Sequence, residues 1–174
     1  MEELGSFNQY VCESYFDFNR DLNGSNDIVQ ALYDLVIRTS EKKHVTFQGL
    51  ERRLRRASQN CRNGDDFIEL AKTALRHQIR TDDKWNDIAM LFFVCEWLLD
   101  QARLLLCDSK FDEVRREIVK QMTIRLSILK MKSRPDWYQL VALEKKIAEN
   151  EPEYDYFPLA ASLLMTFVLN KCIR

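Results

Sequence analysis

The sequence predicts an all-α fold in which six or seven helices surround one buried helix. Three observations carry this. Apolar residues recur at three- and four-residue spacing in segment after segment, no strand-length run alternates apolar with polar residues, and Ile88 to Leu99 is apolar on almost every side. A chain of 174 residues with 46% hydrophobic content has the size and composition of one globular domain, with or without a tail. It can bury roughly 70% of its unfolded surface without a disulfide or metal staple.

Phe7, Tyr10, Val11, Tyr15 and Phe18 place a first amphipathic helix that is expected to stop at Asn23-Gly24. Ser25, Asn26 and Asp27 can cap a second, whose face is Ile28, Leu32, Leu35, Val36 and Thr39. A third carries Phe47, Leu50, Leu54, Ala57 and Cys61 and is expected to end at Asn63-Gly64, where glycine can take the left-handed closing conformation. Asp65 and Asp66 then cap a fourth, with Phe67, Leu70, Ala71, Ala74, Leu75 and Ile79 as its stripe.

Thr81, Asp82 and Asp83 open the fifth helix, which contains the run IAMLFFVCEWLL. Glu96 is the one charge in that run, and such a carboxylate usually lies at a helix-helix rim beside a lysine or arginine. A helix apolar nearly all round must be wrapped by others, which makes it the axis of the fold. Ser109 with Asp112 resembles a capping box before Phe111, Val114, Ile118, Met122, Leu126 and Leu129. Ser133 and Pro135 start a last helix, with Trp137, Leu140, Val141 and Ile147 on one side.

The domain so defined covers residues 1–149. Residues 150–156 form an acidic linker, and 157–174 an apolar tail reading FPLAASLLMTFV before its last six residues. A membrane span needs ~20 mostly apolar residues. Phe157 to Ile173 offers 17, so the tail is either a short anchor whose terminal Lys171 and Arg174 snorkel, or a helix packed on the domain. The start, Met-Glu-Glu-Leu-Gly, lacks the features of a secretory signal peptide.

Several function classes are disfavoured. A formal net charge of -1 argues against a broad nucleic-acid surface, and the run Arg52-Arg53-Leu54-Arg55-Arg56 reads as a solvated helix face. The cysteines at 12, 61, 95, 107 and 172 include no C-x-x-C pair, which fits a reducing, cytoplasmic setting rather than a disulfide framework or zinc site. No glycine-rich phosphate loop is present, and His44 and His77 stand apart without a metal or catalytic signature. We therefore expect neither enzymatic activity nor a cofactor.

Two motifs carry more. Lys84-Trp85-Asn86-Asp87-Ile88 opens the buried helix and Arg134-Pro135-Asp136-Trp137-Tyr138 the last one, the tryptophans lying 52 positions apart. Here the sequence resembles the B-cell lymphoma two (Bcl-type) family of apoptosis regulators. Members wrap amphipathic helices around an apolar helix hairpin, opening its first helix with Asn-Trp-Gly-Arg and placing Gly-Gly-Trp a similar distance on. Phe7 to Asn19 is similar to the family's first amphipathic helix, and terminal apolar segments are common in the family. The resemblance spans nearly the whole chain, chiefly through helix order and spacing. The divergent motifs suit a viral or early-branching member. Two registers fit the family's death motif, Val36 to Glu41 and Leu54 to Gln59, the first lying at the better distance from Trp85.

The resemblance implies a Bcl-type bundle that holds the death-motif helix of a pro-apoptotic partner in an apolar surface groove. On this sequence the groove would draw on Val36, Leu50, Leu54, Leu75, Ile79, Lys84, Trp85, Asp87, Met90, Val94, Trp137 and Tyr138. Asp87 stands where the family keeps an arginine for the partner's carboxylate, a like charge that repels, and Lys84 can supply the cation instead. A complement to the helix dipole is the plainer role for Asp87. The implied function is regulation of apoptosis, anti-apoptotic in sign, in the cytoplasm or tail-anchored at a mitochondrial or endoplasmic-reticulum membrane. Alternatives are a pro-apoptotic membrane-permeabilising member and a helical adaptor outside the family.

Overall fold

The fold is built on α5, Lys84–Leu105, in which Ile88 to Phe92 and then Val94, Cys95, Leu98, Leu99 and Ala102 are buried. The computed structural model describes residues 2–17, 26–76, 84–129 and 134–150. The other helices are α1 (Glu2–Tyr15), α2 (Asp27–Lys42), α3 (His44–Ser58), α4 (Gly64–Arg76), α6 (Asp108–Ile128) and α7 (Arg134–Asn150). All regular structure among the described residues is helical. The chain divides into two units, residues 1–144 and 145–174; in the second, only 145–150 are described, as the end of α7.

Within the first unit, α2, α3, α4 and α6 all pack on α5, while α1 lies against α2 and α6 and α4 against α3 and α6. Most of the stripes expected from the sequence are the faces that are buried, but Tyr10 of α1 and Ala57 of α3 are exposed, Ala57 standing near the end of its helix. In α2, Ile28, Leu32, Leu35, Val36 and Thr39 all point inward. In α4 the same is true of Phe67, Ala71 and Leu75, and in α6 of Phe111, Val114, Ile118, Met122 and Leu126. Aromatic packing joins the layers: Phe16 stacks on Phe92 with centroids 5.5 Å apart, and Phe47 meets Phe93 edge-on at 4.8 Å.

Helix ends follow local hydrogen bonding. Asn26 caps α2, its side chain accepting from the Ile28 N–H at 3.0 Å. α3 stops at Ser58, short of the expected Asn63-Gly64 boundary, because Asn63 serves the next helix instead. Its side chain accepts from the Asp66 N–H at 3.0 Å while the Asp66 carboxylate accepts from the N–H of Arg62, one residue before Asn63, at 2.7 Å, and the two bonds together open α4. Gly64 is therefore the first residue of α4 rather than a terminator. A Cβ there would lie 3.3 Å from Val114 Cγ2, so the glycine lets α4 approach α6 closely.

The box expected at Ser109 and Asp112 does not form the start of α6. The helix begins one residue earlier, after an extended Cys107 whose side chain makes no cap, with Asp108 in the first turn against the positive helix end. α7 begins at Arg134 with Pro135 in its first turn, as expected. The expected end of the first helix near Asn23-Gly24 and the linker and tail of 150–174 lie outside the described residues apart from Asn150. No helix among the described residues is long and apolar enough to cross a membrane.

Candidate functional site

The two tryptophan-bearing helix starts come together. Lys84 Nζ lies 3.7 Å from Asp136 Oδ1 and 5.3 Å from the centroid of the Trp85 ring, so one cation ties the first turn of α5 to the first turn of α7. Trp137 is fully buried, and its indole N–H donates to Asn8 Oδ1 at 2.9 Å. That bond satisfies both groups in the interior and locates α7 against α1. Trp85 is only half-buried, with its ring packed against the core edge.

The remaining groove candidates divide by burial. Val36, Leu54, Leu75, Met90 and Val94 lie inside the protein, and Leu50 packs partly buried against the same core. Tyr138 is exposed, at 57%, and Ile79 lies outside the described residues. Met90 and Val94 of α5 and Val36, Leu54 and Leu75 of the helices packed on it are thus closed in and do not line an open trough. Asp87 is also nearly buried, at 9% exposure, in the first turn of α5 where a carboxylate complements the helix dipole. Lys84 is shared between Asp136 and the Trp85 face, so a partner carboxylate would compete for a cation already in use.

Three features had no signal in the sequence: the pairing of Arg38 with Glu144, the partner of Glu96, which stood out there only as a lone charge, and a cleft. Arg38 of α2 donates from both guanidinium nitrogens to Glu144 of α7, at 2.6 and 2.5 Å, with the two side chains 17% and 9% exposed. This is a forked pair between the preferred death-motif segment and the last helix, 106 positions away in sequence. Among the described residues, Glu96 has neither a lysine nor an arginine as its hydrogen-bond partner, contrary to expectation. It accepts from the Tyr15 hydroxyl at 2.8 Å, and Tyr33 in turn donates to the Tyr15 carbonyl at 3.0 Å while its ring stacks on Tyr15. Burial pushes the Glu96 carboxyl up to about 7, against a smaller downward pull from the Tyr15 hydroxyl.

The third feature is a cleft of about 900 Å³ between α1 and α6, walled by Gln9, Tyr10 and Glu13 on one side and by Arg116, Val119 and Lys120 on the other. It contains none of the groove candidates and carries charges of both signs. Among the described residues no three His, Cys, Asp or Glu side chains converge as a metal site would require.

The fold and these contacts define an all-α bundle with a buried central helix and two coupled helix starts. No family model, curated protein or solved structure matches the chain.

Proposed function

We propose that the protein is a non-enzymatic Bcl-type regulator of apoptosis that captures the death-motif helix of a pro-apoptotic partner. The observation that carries this reading is the junction of the α5 and α7 starts, where Lys84 reaches Asp136 and Trp137 is locked beneath. A spacing of 52 residues in sequence becomes a contact in space, as two motifs serving one groove would need. The groove would lie along α2, α3 and α4 over α5. Because Val36, Leu54 and Leu75 are buried, a partner helix enters by displacing side chains, and its affinity is reduced by the free energy of that opening.

Titrating a panel of death-motif peptides against the full chain tests the reading. Binding at micromolar strength or tighter, weakened by Leu50→Glu on the accessible rim, is the expected result. A panel in which no peptide binds, or in which peptides bind equally well after Leu50→Glu, would move the protein to the class of helical adaptors. A cell-survival assay then reads the sign of the effect.

A further inference from the structure

Exposed helix faces elsewhere in this chain mix charges, with partners three residues apart: Lys72 with Glu69, Lys110 with Glu113 and Lys120 with Glu117. α3 is different. Its inward side is Phe47, Leu50 and Leu54, and at about 100° per residue Val45, Arg52 and Arg56 stand opposite, with Arg53 and Arg55 on the flanks. All four arginines are exposed and Val45 is 79% exposed.

Glu51 is the one acid of this helix, and Arg55 occupies it at 2.7 Å. Arg52 bonds only to the carbonyl of Gln48 in its own helix, at 3.4 Å, and Arg53 and Arg56 have no ion pair among the described residues. Arg52 with Arg55 and Arg56, and Arg53 with Arg56, stand at spacings where like charges oppose helix formation. Arg55 and Arg56 gain from the negative helix end, but Arg52 and Arg53, nearly a turn earlier, gain less. The helix thus keeps a single-sign face that its own stability does not call for.

We propose that the outward face of α3 docks the protein on an anionic lipid surface. The outward side of a single helix is a convex ridge, so it suits a broad fluid sheet of negative headgroups better than a shaped protein ligand. Phe47 is turned into the protein, and the exposed ring of the helix, His44, is engaged with Gln48 at 3.0 Å two turns before Arg52, so no ring stands among the arginines for a nucleic-acid base to stack on. Arginine stems are long enough to hold guanidinium groups at headgroup depth, where several cations act together.

The test is cosedimentation of the full chain with phosphatidylcholine vesicles, with and without phosphatidylserine, at low and high salt. The phosphatidylcholine arm carries the apolar contribution of segment 157–174, and the arginine variant separates the phosphatidylserine-dependent part due to α3 from that of the tail cations Lys171 and Arg174. Binding should rise with phosphatidylserine and fall with salt. Replacing both Arg52→Gln and Arg56→Gln should lower the phosphatidylserine-dependent part about 25-fold, at about fivefold per arginine. The variant's helical circular dichroism should match the parent, since both side chains point to solvent, and its affinity for death-motif peptides should be unchanged.

Phosphatidylserine-dependent binding that ignores salt overturns the proposal on the unmodified protein alone. So does a folded double variant that binds as tightly as the parent. A single-stranded RNA oligonucleotide that displaces the vesicles through the same arginines would replace it with a nucleic-acid surface.

Discussion

α5 reaches its place by burying Ile88, Met90, Phe92, Val94, Leu98 and Leu99, whereas α7 is located by Trp137, Leu140 and polar contacts to three different helices. The first mode is non-directional and roughly proportional to apolar area, so it tolerates swaps of similar volume. The second depends on particular atoms: Asn8 for the indole, Arg38 for Glu144 and Lys84 for Asp136. In the two buried contacts the loss of one partner costs more than the loss of both, because the survivor stays in the interior without that bond. The position of the last helix is therefore specified more sharply, and is more easily lost, than that of the central one.

The comparison is broken most strongly at Trp137. Trp137→Ala combines a large cavity with the loss of the indole donor to Asn8, and should lower stability by about 3–5 kcal/mol in a denaturant titration. Phe92→Ala in α5 should lose a similar amount, but Phe92→Leu should recover most of it, while Trp137→Phe should remain impaired for want of the N–H. Equal recovery at both sites would mean that α7 too is held by area alone.

Next in size is the forked pair. Arg38→Met removes the forked guanidinium from the buried Glu144 carboxylate and should destabilise by about 3 kcal/mol, whereas adding Glu144→Leu should return much of that loss. A double variant as weak as the single one would show that the pair contributes directly and not merely through the penalty of separating it.

Glu96 tests the polar exception within α5. The unfolded chain holds this carboxyl near 4.5 and the folded protein at about 7, so the folded state binds the extra proton between those values. The associated stability is fully present below about pH 4.5 and is lost as pH rises through about 7. Glu96→Gln keeps an acceptor for Tyr15 without ionising. It should be about 2 kcal/mol more stable than the parent above pH 7, less than the whole shift implies because the carboxylate is partly hydrated, and no more stable at pH 4. Thermal melts across that range should show the two proteins diverging as pH increases.

The smallest effect is expected at the junction of the helix starts. Lys84 and Asp136 are 36% and 23% exposed and 3.7 Å apart, so Asp136→Asn should change stability by less than about 1 kcal/mol. It should also free Lys84 for a partner's carboxylate, tightening any death-motif peptide that carries one. A fall in peptide affinity would place Asp136, and not Lys84, at the contact.

Most helices were legible because each carries its stripe within a dozen or so consecutive residues: Ile28, Leu32, Leu35 and Val36, or Val114, Ile118 and Met122, report a buried face by spacing alone. The ends were less legible. Asn63 can close one helix or open the next, and the choice fell to the bond with Asp66 and to the contact of Gly64 with Val114 on a helix some fifty residues later. The candidate site was legible as residues but not as a shape. Val36, Leu54 and Leu75 are apolar in either an open groove or a closed wall, and only their packing over α5 closes it.

The sequence by itself determined the all-helical class, the buried axis and a cap among Ser25, Asn26 and Asp27, since helical periodicity and capping act over a few residues and need no distant partner. Tertiary structure alone decided that Arg38 would meet Glu144, that Tyr15 would hold Glu96, and that Asn8 would receive the Trp137 N–H. Such pairs join residues 81 to 129 positions apart, and no local pattern records which polar group will face which once the helices pack.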